Sequence, residues 1–168
     1  MKKLLYLMTF AAMLVTGCCS EECAQGPKPL QIDNALTAEE KAAGKFTPEI
    51  MWKMSRIGQQ ALSPDGSKLI YTLTQYNMAE NRGITLLWLR DMATGQERAI
   101  TDYASTNTSP QWLDNDNVAF MSNRSGSMQV WAQNVASGAE TQLSDVDGGV
   151  EGFGIAGNHA FYLQRVKV

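Results

Sequence analysis

The sequence predicts an all-β protein, on three observations. Short runs of β-forming residues recur from residue 59 onward, bounded by turns rich in Gly, Asn and Asp. No amphipathic helical pattern interrupts them. The runs also repeat as a unit: aligning Trp88 with Trp131 brings Gly95 onto Gly138, at an offset of 43 residues. Four strands in roughly 43 to 50 residues make a unit the size of one propeller blade. The expected architecture is an incomplete β-propeller of about two and a half four-stranded antiparallel blades, preceded by a short N-terminal helix. An unrelated β-sandwich with coincidental turns is the competing fold.

The first element is not part of that fold. Residues 1–17 open with Lys2 and Lys3, and an apolar run follows from Leu4 to Val15. The run is too short to cross a membrane as a helix, which needs about 20 residues. It has the form of an export signal. The small residues leading into Cys18 resemble a bacterial lipoprotein processing box. That resemblance implies cleavage before Cys18 and lipid attachment there, anchoring the chain in the cell envelope of a Gram-negative bacterium, periplasmic or on the outer-membrane surface. Loss of Lys2 and Lys3 with the signal takes the net charge from -3 to -5.

Residues 18–45 read as a tether, polar and interrupted by Pro27 and Pro29. A short helix is expected over 37–43, where Thr37 and Glu40 fit a capping box. Residues 46–58 predict a second helix. Thr47 suits the N-cap, Pro48 the first helical position, and Ile50, Met51 and Met54 form one apolar stripe that ends near Gly58.

Blades are expected over 59–102, 109–145 and, in part, 149–168. Strand cores fall at 69–73, 86–89, 118–121, 130–131 and 160–163. Their turns include Ser63-Pro64-Asp65-Gly66, Ala93-Thr94-Gly95, 114–117, Ala136-Ser137-Gly138 and Ala156-Gly157-Asn158. Asp-Gly and Asn-rich turns supply the positive φ that tight hairpins need. Trp88 and Trp131 are expected at equivalent inter-blade positions. Residues 75–83 read as a loop that lengthens one hairpin. Glu80 and Arg82 in it either face a substrate channel or belong to a solvated loop.

Composition narrows the function. A chain with 44% hydrophobic and 18% charged residues is not disordered, and its acidic balance gives no basic surface for nucleic acid. All three cysteines, Cys18, Cys19 and Cys23, lie in the tether, so no disulfide framework is expected in the folded part. No metal site or cofactor is expected: His159 is the sole histidine and sits beside a hairpin turn. The run Asp145-Val146-Asp147-Gly148-Gly149 lacks the rest of a calcium loop. Asn107-Thr108-Ser109 and Asn123-Arg124-Ser125 match glycosylation acceptors by chance. No serine has glycine two residues before and two after it, so a nucleophile elbow is absent and no residue is read as catalytic.

The stretch from Phe46 through Gly58 leads into Ala61-Leu62-Ser63-Pro64-Asp65-Gly66. Together they resemble the start of the mature part of secreted dipeptidyl and acylaminoacyl peptidases of the prolyl oligopeptidase family. Ser109-Pro110-Gln111-Trp112-Leu113 resembles the opening of the second blade there. It departs from the family pattern at the next turn, which is Asp-Asn-Asp-Asn instead of Ser-Pro-Asp-Gly. The resemblance covers 46–168. It implies a propeller that restricts access to short peptides, with Ser, Asp and His of the triad in a C-terminal α/β-hydrolase domain that this sequence does not contain. The alternative is a non-catalytic TolB-like propeller lipoprotein that binds envelope partners.

Two and a half blades cannot close a ring of four to eight, and the strand at 160–163 would leave an apolar edge. The sequence is therefore expected to be a fragment or a truncated reading frame. The mature chain alone is expected not to hydrolyse peptides.

Overall fold

The computed structural model describes Ile32, residues 34–157 and residues 159–165. The expected signal at 1–17, the expected lipidation site Cys18 and most of the expected tether lie outside the described residues. Two short helices come first, α1 (Ala38–Ala43) and α2 (Pro48–Lys53). Strands follow in chain order: β1 (Arg56–Leu62), β2 (Lys68–Asn77), β3 (Arg82–Asp91), β4 (Glu97–Ala99), β5 (Asn107–Trp112), β6 (Asn117–Ser122), β7 (Gln129–Asn134), β8 (Glu140–Gln142), β9 (Gly152–Ala156) and β10 (His159–Leu163). They form two four-stranded meanders, β1-β2-β3-β4 and β5-β6-β7-β8, and the hairpin β9-β10, all antiparallel. This is blade geometry, repeated.

The caps of α1 and α2 follow from local chemistry. Thr37 Oγ1 accepts from Glu40 N at 3.2 Å, while Thr37 N donates to Glu40 Oε2 at 2.8 Å. Thr47 Oγ1 accepts from Ile50 N, with Pro48 in the first turn. Lys53 Nζ then donates to both Glu40 oxygens at 2.8 Å and ties the two helices together.

The second helix is shorter than the 46–58 expected from sequence. It ends at Lys53, and β1 already begins at Arg56. Gly58 is not a helix stop. It lies in a β-bulge between Ile57 and Gln60, where a Cβ would sit 2.6 Å from Thr72 Oγ1. The glycine admits β2 to close approach. The bulge recurs in the second blade, between Thr108 and Gln111 of β5.

The loop expected over 75–83 is mostly strand. β2 and β3 pair through Thr74↔Thr85, Gln75↔Ile84, Tyr76↔Gly83 and Asn77↔Arg82, leaving only Met78 to Asn81 as the turn. Cross-strand pairing of Tyr76 over a glycine, and a Thr74–Thr85 hydroxyl contact at 2.8 Å, outweigh the polar composition of the stretch.

The main core lies between the two blades. Ile70, Leu87, Leu89 and Ile100 of the first pack on Val118, Phe120 and Val135 of the second. The alternation of strands explains the selection. Odd-numbered Leu87 and Leu89 face the second blade, while Ile84, Leu86 and Trp88 face away and are covered by Ile32 and Tyr103. Each wholly buried Ile, Leu or Phe contributes about 1.5–3 kcal/mol. A smaller cluster, Ala119, Val130 and Val150 with Phe153 and Ile155, seats the β9-β10 hairpin on the second blade.

Candidate functional site

The first strands of the three units converge: β1 packs beside β5, and β5 beside β9. Their meeting makes a groove of about 420 Å³ lined by Gln59, Gln60, Ser109, Pro110, Gln111, Gly152 and Phe153. Carboxamides hold it together. Gln59 Oε1 accepts from Ser109 N at 2.7 Å, which secures Ser109 at a φ of 55°. A positive φ at a non-glycine residue is strained and needs such support. Gln111 acts like a piece of strand, donating from Nε2 to Phe153 O at 3.0 Å and accepting from Ile155 N at 3.1 Å.

The blade turns are built on single carboxylates or carboxamides. Asp65 Oδ1 accepts from Ser63 Oγ at 2.7 Å, Ser67 Oγ at 2.9 Å and Ser67 N at 3.0 Å. The Ser63 hydroxyl, then Ser67, hold the Asp65 carboxyl down at a pKa of about 2. Pro64 and Asp65 are exposed, and Gly66 completes the turn at φ 73°. Asp91 and Asn134, 43 residues apart, do the same work in the two β3-β4-type turns. Asp91 accepts from Thr94 N at 2.8 Å and Asn134 from Ser137 N at 2.9 Å, with Gly95 at φ 71° and Gly138 at φ 75°.

Tyr71 pairs with Trp88 and Phe120 with Trp131, so both tryptophans lie on the blade face that looks toward the N-terminal side. Trp131 packs into the inter-blade core under the Arg124 guanidinium, 5.0 Å from its ring centroid. Trp88 packs against Ile84, Leu86 and Tyr103. Trp112 is half-buried in the inter-blade core, and its Nε1 donates to Ala61 O at 3.0 Å.

Arg124 was not singled out by sequence. Its Nε donates to Ser122 Oγ, its Nη2 to Asn107 Oδ1 and its Nη1 to Glu140, while its plane covers Phe120 and Trp131. Only pairing in space assembles these partners. The same holds for Arg56, which stacks on Trp52 at 5.2 Å and Tyr76 at 4.8 Å.

Glu80 and Arg82 part company. Glu80 sits in the exposed turn of the β2-β3 hairpin, whereas Arg82 begins β3 and lines a cavity of about 260 Å³ with Trp52, Tyr76 and Met78. His159 is exposed at the start of β10, paired with Ala156. Among the described residues no group of three or more His, Cys, Asp or Glu is placed to hold a metal, and no helix is long and apolar enough to cross a membrane.

No protein-family model matches the chain. Two curated relatives do. Dipeptidyl-peptidase 5 of Porphyromonas gingivalis is 36% identical over 109 residues, covering 64% of this chain and 16% of the relative. Dipeptidyl-peptidase 5 of Porphyromonas endodontalis is 27% identical over 122 residues, covering 72% of this chain and 18% of the relative. The chain thus spans under a fifth of the length of either. Among solved structures, the apo AtxE2 isopeptidase superposes with a TM-score of 0.57 at 15% identity, covering 70% of this chain and 23% of that one. An acylaminoacyl peptidase of Pyrococcus horikoshii gives 0.53 at 14% identity, covering 64% and 16%. Repeated blades, a bulge shared by both blades and these similarities agree: the chain is a β-propeller segment, similar in sequence to part of dipeptidyl-peptidase 5 and in fold to part of two solved peptidases.

Proposed function

We propose that the chain is the N-terminal propeller portion of an exported serine peptidase of the prolyl oligopeptidase family that releases dipeptides. The observation that carries this reading is the 36% identity to dipeptidyl-peptidase 5 over 109 residues, 64% of this chain. In this reading the blades admit short peptides along the groove of β1, β5 and β9. The hydrolase domain of the longer protein supplies Ser, Asp and His. Cys18 carries the lipid that holds the protein in the envelope.

Reading the gene in frame beyond the codon for Val168 tests the assignment. A continuation with further blades and a Gly-x-Ser-x-Gly elbow is expected. The full-length product should release dipeptides from peptide N-termini and lose that activity to a serine-directed inhibitor. A stop codon at that point, with a soluble folded product, would sink the peptidase reading and favour a binding module. Metabolic palmitate labelling, lost in Cys18→Ala, tests the anchor separately.

A further inference from the structure

The β2-β3 hairpin is longer than its counterpart. β2 and β3 have ten residues each, β6 and β7 six. With Trp88 aligned on Trp131, the last pair of the second blade, Ser122↔Gln129, corresponds to Leu73↔Leu86. Four further pairs extend past that level, an arm of roughly 13 Å at the usual rise per residue.

The arm is braced. Tyr103 Oη donates to Gln75 Oε1 at 2.7 Å, and Gln75 Nε2 donates to Ser55 Oγ at 3.2 Å. Trp52 of α2 meets Tyr76 edge-on, with centroids 5.1 Å apart at 71°. Gly83 leaves room for this: a Cβ there would lie 3.1 Å from Tyr76 Cε1.

These parts frame the 260 Å³ cavity between α2 and the arm. Its apolar walls are Trp52, Tyr76 and Met78, and its one charged wall is Arg82. The Arg82 side chain makes no hydrogen bond or ion pair among the described residues, although the chain has more acids than bases. Glu80 is not among the lining residues. Arg56 adds a second guanidinium beside Trp52 and Tyr76, also without an acidic partner. A guanidinium prefers a carboxylate, and indole and phenol faces prefer a flat or aliphatic group. The volume suits one amino-acid residue and is below the range of drug-sized sites.

We propose that this slot binds the C-terminal residue of a peptide, its carboxylate on Arg82 and its apolar side chain on Trp52, Tyr76 and Met78. A C-terminal residue carries its carboxylate and its side chain on one Cα, so a single residue reaches both halves of the slot. The inference goes beyond the peptidase reading and does not rest on it, because binding is measured without turnover.

Isothermal titration of the purified protein that carries this chain tests it, with three probes: N-acetyl-L-phenylalanine, its neutral amide, and N-acetylglycine. The acid is expected to bind saturably and at least about tenfold more tightly than the amide, the value of one charge-assisted hydrogen bond. It should also outbind N-acetylglycine, which lacks the side chain. Arg82→Gln, at an exposed position, should erase the preference for acid over amide while circular dichroism stays unchanged. Gly83→Val, which displaces the Tyr76 ring, should erase the preference over N-acetylglycine. Equal binding of acid and amide, preference retained in Arg82→Gln, or no saturable binding by a folded protein would overturn the proposal.

Discussion

Trp112 Nε1 donates to the carbonyl oxygen of Ala61 at 3.0 Å, joining the first strand of one blade to the first strand of the next. The ring at the same time packs into the core shared by the two sheets. One side chain therefore supplies both burial and register between blades.

Trp112→Phe keeps most of the burial and removes the donor. The chain should lose about 1 kcal/mol, the usual net value of a hydrogen bond. Trp112→Ala should lose about 3–5 kcal/mol through the cavity it leaves. Denaturant titration followed by tryptophan fluorescence measures both. No loss in Trp112→Phe would show that the hydrogen bond contributes nothing, and equal losses in the two variants would show that burial of the ring adds nothing beyond it.

Gly58→Ala would set a Cβ 2.6 Å from Thr72 Oγ1. Overpacking of this kind costs about 1–3 kcal/mol. Because the clash is with one hydroxyl, Thr72→Ala should restore part of the loss in the double variant. The single and double variants together form a mutant cycle, and strict additivity would place the strain elsewhere.

Gly138 holds φ at 75° with open space around it. Gly138→Ala should therefore destabilise by about 1–2 kcal/mol through backbone strain alone. Gly154, with open space and no positive φ, is the matched control, and Gly154→Ala should be close to neutral. Midpoints of urea unfolding compare the two.

The Asp65 carboxyl is depressed to about 2 by the Ser63 and Ser67 hydrogen bonds. A depressed carboxylate favours the folded state at any pH above its unfolded value near 3.8. That contribution is lost as pH falls from about 4 toward 2. Asp65→Asn should flatten the stability profile in that window and leave the slope above pH 5 unchanged. A profile identical to the parent below pH 4 would show that the turn does not depend on this charge.

The sequence by itself determined the strands, their turns and the blade repeat. Those features are local: alternation of apolar residues, Asp-Gly turns, and the Trp-to-Gly spacing shared by Trp88–Gly95 and Trp131–Gly138. It also carried the family resemblance, because the Phe46–Gly66 stretch is contiguous. The tertiary structure decided what depends on approach in space. Gly58 reads as a helix stop in sequence, yet it serves the contact with Thr72, fourteen positions away. Residues 75–83 read as a loop because their composition is polar, yet pairing with β3 makes an arm of them. Arg82 and Trp52 lie thirty residues apart and share no motif, so only the packing of α2 against the arm brings them to one slot.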